Sequence, residues 1–405
     1  MIASRIAWLD HDAQARERSI RLMAMFRERS TRDELGLGAV RDNIADILFP
    51  GTSTIQTRLR YMLFIPWLYG RIEREIAQGH LERGTVGARM AALEFEIVDA
   101  LGDERGVFGK SSGRKLKRLP SSVYWAGLGS WGIRSMHWTQ DQYHRNVVPV
   151  VSGRADAAAS NTEGDDAEPD ERTRTWHPTL PPEPERFPRE AVLALTREEA
   201  GFLLDRVREC HPTSLLAHLF ERCEPAESEY PWHHPDHADF SPDQQELLNH
   251  AEKLAVLAHG AFLLYNLALS ELRGVEEWVQ FYQERFAEWE GEVQSYAFHS
   301  WDLERLLSLV QSGTYRISEG ARTFLRNWLA LVVKHQESTG ALQTHADARQ
   351  LIRDRETLLK KARARFTNPE VLRQWGGGSS TARYTYRWAT VTQFHRDLHA
   401  ALGAS

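Results

Sequence analysis

Apolar residues in this chain recur at three- and four-residue steps over most of its length, and period-two alternation is nearly absent. That pattern restricts the fold more than any other feature, because a stripe spaced for a helix cannot be laid onto one face of a sheet. Residues 12–29 place Ile20, Met23 and Phe26 on one face, and 39–49 do the same with Val40, Ile44, Ile47 and Leu48. Residues 85–101, 189–209, 212–222, 241–272, 275–290, 301–311, 318–335 and 341–366 carry further helical patterns, and a last one closes the chain. Only RNVVPVVS, residues 145–152, has the composition of a strand, and Pro149 demotes it because proline removes a ladder donor. The expected fold class is mainly α.

The most hydrophobic stretch of the N-terminal half is FPGTSTIQTRLRYMLFIPWLYGRIEREIA, residues 49–77. Pro50-Gly51 breaks the preceding helix, and the Thr52-Ser53-Thr54 cluster is expected to start a long core helix with Pro66 inside it. Arg58 and Arg60 stand near its beginning, so the element pairs a buried body with two cations. They bear either on an anionic ligand or on carboxylates of neighbouring helices, with Asp42, Asp46 and Glu73 as the nearest candidates.

Residues 153–188 change character, acidic first and proline-rich afterwards, with few aliphatic side chains to bury. They are expected to be a flexible linker. The organisation that follows is an N-terminal helical module over 1–150, a linker over 151–188 and a C-terminal helical module over 189–405. GGGSS at 376–380 is expected to be a second flexible break. The apolar run 254–269 is interrupted by His259, Gly260 and Asn266, so it is expected to be a core helix and the protein soluble. Two cysteines thirteen apart form no disulfide framework, which fits a reducing cytoplasm. Thirteen tryptophans are accounted for as fillers between crossing helices rather than as a base-stacking platform.

A net charge of −6 excludes bulk attraction to nucleic acid, so any such contact must be local. The best local candidate is GVFGKSSGRKLKR, residues 106–118, in which Lys110, Arg114, Lys115, Lys117 and Arg118 lie on a glycine-rich segment. Its Gly109-Lys110-Ser111 triplet is no phosphate-binding P-loop, since Glu104 stands where that motif needs glycine. A second basic run, 353–366, carries Arg353, Lys360, Lys361, Arg363 and Arg365 around a helix end. The WHHPDH stretch groups His233, His234, Asp236 and His237, with Cys210 and His211 upstream, but without a zinc-site spacing. The carboxylates Glu94, Glu96 and Asp99 lie on one helix, and no nucleophile elbow, zincin or kinase motif is present.

SRIAWLD, TRDELGLGAVRDNIADILFPGTSTIQTRLRYMLFIPWLY and GRKLKRLPSSVYWAGLGSWGI resemble an uncharacterised bacterial family known only as a domain of unknown function. FTNPEVLRQW and YRWATVTQFHRDL resemble its closing segment. The resemblance implies a bacterial protein from antiphage-defence neighbourhoods, beside helicase or nuclease subunits as partners, and it defines no functional residue. The functional expectation is a cytoplasmic, non-enzymatic defence component that contacts nucleic-acid phosphates, DNA in preference to RNA. Arg58, Arg60, Lys110, Arg114, Lys115, Lys117 and Arg118 are the contacting residues, with no cofactor, no metal ligand and no membrane involved. The alternatives are a protein scaffold that touches no nucleic acid and a metal-dependent hydrolase built on residues 233–237.

Overall fold

In the computed structural model, residues 33–108, 118–160, 174–338 and 340–403 are described. The pattern expected over 12–29 lies outside them. The fold is mainly α, with fourteen α-helices and no strand among the described residues. The helices are α1 (Gly38–Leu48), α2 (Tyr61–Ala77), α3 (Val86–Leu101), α4 (Pro120–Ser130), α5 (Gln140–Ser160), α6 (Arg197–Cys210) and α7 (Leu215–Arg222). They continue with α8 (Pro242–Arg273), α9 (Glu276–Val293), α10 (Leu303–Leu309), α11 (Glu319–Gln336), α12 (Ala346–Lys360), α13 (Pro369–Arg373) and α14 (Trp388–Leu402). The chain forms two compact units: residues up to Ile44 with Glu246–Tyr386, and Ala45–Gln245 with Arg387–Ser405. This division differs from the expected borders at 150 and 189.

In the second of these units α2 is the hub, packed against α3, α4 and α5, while α14 packs on α6 and α7. Residues Tyr61 to Tyr69 of α2 are all buried, at roughly 1.5–3 kcal/mol for each large apolar side chain taken from water. The helix does not start at Thr52. The backbone N–H groups of Thr57 and Arg58 donate to the Tyr124 hydroxyl at 2.9 and 3.1 Å, and Ser53 N donates to Gln56 Oε1 at 2.8 Å. Side chains thus take donors that a helix would otherwise have used, and regular winding begins at Tyr61.

RNVVPVVS is helical, within α5 and with Pro149 inside. Tyr143, Val147 and Val151 recur at four-residue steps and are buried, so a helical stripe overrides the β-branched composition. The expected linker is corrected in its second half. Residues 174–188 form a strap over α2: Trp67 Nε1 donates to Pro181 O at 2.7 Å, and Arg71 Nε donates to Glu183 Oε2 at 2.7 Å. Phe187 inserts its ring 5.3 Å from Phe64 and 5.2 Å from Trp67. Thr175 and Trp176 hydrogen-bond Glu73, so two aromatic anchors fix a segment whose average composition is too polar to fold alone. Residues 161–173 lie outside the described ones.

In the other unit α8 is long and apolar enough to cross a membrane, yet 89% of its most apolar window is buried inside the protein, as for a core helix. GGGSS is no flexible break. Ser379 exchanges two hydrogen bonds with Asn266 of α8 (2.8 and 2.9 Å), and Gly377 O accepts from Tyr282 Oη at 2.7 Å. The glycines let the backbone reach the buried amide. The basic run 353–366 is largely engaged: Arg365 pairs with buried Glu34 at 2.9 Å, Lys360 pairs with the same carboxylate, and Arg353 lies over Phe366. Lys361 and Arg363 stay exposed.

Candidate functional site

The seven cations singled out in the sequence fall into three groups. Lys110, Arg114, Lys115 and Lys117 lie outside the described residues. Arg58 and Arg60 are held by carboxylates, though not by Asp42, Asp46 or Glu73. Arg58 Nε donates to both oxygens of Asp397 at 3.0 Å, its Nη1 donates to Arg105 O at 3.0 Å, and Glu104 lies 3.5 Å away. Arg60 is buried; its Nη2 donates to Glu199 Oε1 at 2.6 Å and its Nη1 to Val192 O at 2.9 Å. Arg118 is exposed and has no carboxylate partner among the described residues.

Both ends of the basic segment are fixed. Phe108 packs edge-on against Tyr61 at 5.2 Å, with its backbone N–H donating to the Tyr61 hydroxyl at 3.3 Å. Leu119 caps α4, where Pro120 sits at the first helical position and needs no N–H partner. The Pro120–Ser130 helix buries Tyr124, Trp125 and Leu128.

Two polar groupings join residues singled out in the sequence to partners that it did not indicate. The first centres on Glu94, 2% exposed on α3. Its carboxyl accepts from Ser121 N at 2.6 Å and from Ser121 Oγ at 3.0 Å. Gln140 Nε2 bridges Ser121 Oγ and the Tyr69 hydroxyl at 2.8 and 2.9 Å, and the Tyr69 hydroxyl meets His144 Nε2 at 2.7 Å. Burial pushes the Glu94 carboxyl up to about 7, against the lowering effect of its Ser121 hydrogen bonds. The signal was present in the sequence, since Glu94 lies four residues after Met90 on the apolar stripe of its helix.

An acid raised in the fold stabilises it while protonated in both states, and that stability is lost as the pH climbs. Stability should therefore decline from about pH 4.5 to about pH 7 through this group, by at most about 1.4 kcal/mol per pH unit. Glu94→Gln, which resembles the protonated acid, should flatten that decline and raise stability at neutral pH. Urea denaturation at pH 5, 6 and 7 measures it, and an unchanged slope refutes the assignment.

The second grouping takes up part of the histidine-rich stretch. His234 and Asp236 meet Cys223, with one donor atom of each within 4.8 Å of the others. His233 is exposed, and His237 packs against Phe240 at 5.7 Å. The upstream residues go elsewhere: a ring nitrogen of His211 hydrogen-bonds Ser130, and exposed Cys210 lies beside Gly132. Burial, with Asp236 adding to it, pushes the Cys223 thiol up to about 12, so it is no activated nucleophile. Burial holds the His234 imidazole below its usual range. Cys223 carried no sequence signal, because its spacing to His234 matches no metal motif.

Residues 3–402 match the profile of a family of unknown function. No curated protein and no solved structure matches the chain.

Proposed function

The chain belongs to this family of unknown function (DUF6361), and we propose that it is a non-enzymatic, phosphate-contacting component of a bacterial antiphage-defence assembly. The defence setting, the cytoplasmic location and a helicase- or nuclease-like partner rest on the family resemblance of its sequence motifs. The phosphate contact rests on one observation. Residues 105–119 carry Arg105, Lys110, Arg114, Lys115, Lys117 and Arg118 and no acid at all. Elsewhere the singled-out cations Arg58, Arg60, Lys360 and Arg365 are neutralised by carboxylates of the protein itself.

A run of cations with both ends tethered suits a backbone contact that follows charge and ignores base identity. Arg58 and Arg60 leave the contact set in this reading: they hold the platform from which the segment extends.

The test is binding to labelled duplex and single-stranded DNA as a function of salt. Replacing Lys115, Lys117 and Arg118 with alanine should weaken binding alike across sequences. Each cation withdrawn from a phosphate flattens the log–log salt dependence by about 0.9, so the triple variant should flatten it by up to about 2.7. Unchanged affinity removes the segment as the contact. Absence of binding even at low salt turns the reading to a protein scaffold, whose complex would survive nuclease treatment.

A further inference from the structure

We propose that Cys223, His234 and Asp236 form a binding site for one divalent ion of the zinc class, which accepts a thiolate. The site is independent of the phosphate contact, and either can fail without the other.

Cys223 is the residue that ends α7, and the chain returns to it through two short 3-10 turns, Pro231–His233 and Pro235–Asp239. Their geometry is fixed locally. Prolines start both turns, and His234 Nδ1 accepts from Asp236 N at 3.2 Å as the cap of the second. His234 Nδ1 and Asp236 Oδ2 are 3.9 Å apart, and one donor atom each of Cys223, His234 and Asp236 lies within 4.8 Å of the others. Around a tetrahedral zinc ion, bond lengths of about 2.0–2.3 Å put neighbouring donors roughly 3.3–3.6 Å apart. The set is therefore slightly open, and Asp236, its most exposed member, can swing to close it.

Two observations separate this from ordinary packing. His234 is only 3% exposed, and Nδ1, the nitrogen that faces Asp236 Oδ2, is engaged only by Asp236 N at 3.2 Å, the long end of the hydrogen-bond range. An ion bound at Nδ1 takes the lone pair that now accepts from Asp236 N and replaces that contact with a bond. The donors are also a thiol, an imidazole and a carboxylate together, a mixture that suits Zn²⁺ or Co²⁺, whereas Mg²⁺ and Ca²⁺ take oxygen. The surroundings are dry on one side: His218, His234 and His237 all lie against the Phe240 ring, at 5.2, 5.5 and 5.7 Å, and Trp388 lies 6.0 Å from His234.

Binding breaks the Cys223 S–H bond, forms a sulfur–metal bond and releases one proton to solvent, with no change of oxidation state. Three protein donors leave a fourth position for water. The ion would join the end of α7 to the 231–239 turns.

The experiment uses the intact chain, stripped with a chelator and titrated with Co²⁺ alone. About one Co²⁺ per chain should bind, with a near-ultraviolet thiolate-to-cobalt band that Zn²⁺ abolishes. Cys223→Ser should lose the band, while Cys210→Ser should keep it. Asp236→Asn, at a position exposed enough to spare the fold, should weaken Co²⁺ binding about ten-fold or more. Its circular dichroism without metal should be unchanged. Failure to take up Co²⁺, a band that survives in Cys223→Ser, or full affinity in Asp236→Asn each overturns the site. If Cys223→Ser does not fold, the aspartate variant decides alone.

Discussion

Glu199→Ala should destabilise the unit that contains α2 by roughly 3–5 kcal/mol, the usual cost of stranding a buried charge. Arg60 and Glu199 expose 4% and 5% of their side chains and meet at 2.6 Å. One carboxylate oxygen serves the guanidinium, and the other accepts from Thr196 N at 2.9 Å in the capping box that starts α6. Alanine removes both contacts at once. It leaves Arg60 with the Val192 carbonyl and two aromatic faces, Phe64 at 5.6 Å and Trp67 at 5.8 Å. Glu199→Gln keeps the cap and should cost less. Replacing the pair together, Arg60→Met with Glu199→Leu, should recover much of the loss, because no charge is then left unpaired. Chemical denaturation followed by tryptophan fluorescence measures all three. A loss below about 1 kcal/mol for Glu199→Ala would show that water reaches the site and that the pair is screened as on a surface.

Gly260→Ala should reverse the gain that helix propensity predicts. In the middle of a helix, alanine is favoured over glycine by about 1 kcal/mol, and Gly260 lies well inside α8. A Cβ there would overlap three ring atoms of Trp289. That indole is 2% exposed and cannot retreat freely. Its Nε1 donates to Val256 O at 2.8 Å, and its face stacks on Trp328 with centroids 6.2 Å apart. Trp328 in turn donates to Leu257 O at 2.8 Å. Overpacking of this kind costs typically 1–3 kcal/mol, so the variant should melt lower, and Gly260→Val lower still. Adding Trp289→Phe should restore part of the loss in Gly260→Ala by making room, a coupling that a double-mutant cycle detects. A Gly260→Ala protein more stable than the parent would refute the contact.

The helices that could be read from the sequence are those whose start signals and apolar stripes agree. The helical patterns over 85–101, 241–272 and 318–335 place α3, α8 and α11 within a residue or two of their observed bounds. The misreadings share a cause, which is partners distant in sequence. Thr57 and Arg58 stay out of the helix because the Tyr124 hydroxyl takes their backbone donors. The 174–188 strap is held by α2, and GGGSS is held by Asn266. Composition averaged over a window cannot report one phenylalanine in the right place. The same limit governs the sites. Arg58 and Arg60 were visible as charges, but Asp397 and Glu199 lie 339 and 139 residues away. Cys223 shows no spacing to His234 that would mark it, whereas Glu94 was legible in principle from its place on an apolar stripe.

The ion pair of Arg58 with Asp397 sets a timetable for biosynthesis. Asp397 also accepts from Leu59 N at 2.9 Å, so the entry to α2 is completed by α14. The other unit has the same design, since Asn43 donates to Val310 O and Tyr315 O at 3.0 and 2.7 Å. A ribosome adding about 5–20 residues per second takes on the order of half a minute to travel from Arg58 to Asp397. Throughout that interval Arg58 and the backbone N–H of Leu59, at the entry to α2, wait for the carboxylate that completes them. Maturation of this chain is therefore a late event, and a nascent chain stalled before residue 388 would present the translation machinery's chaperones with an unfinished core.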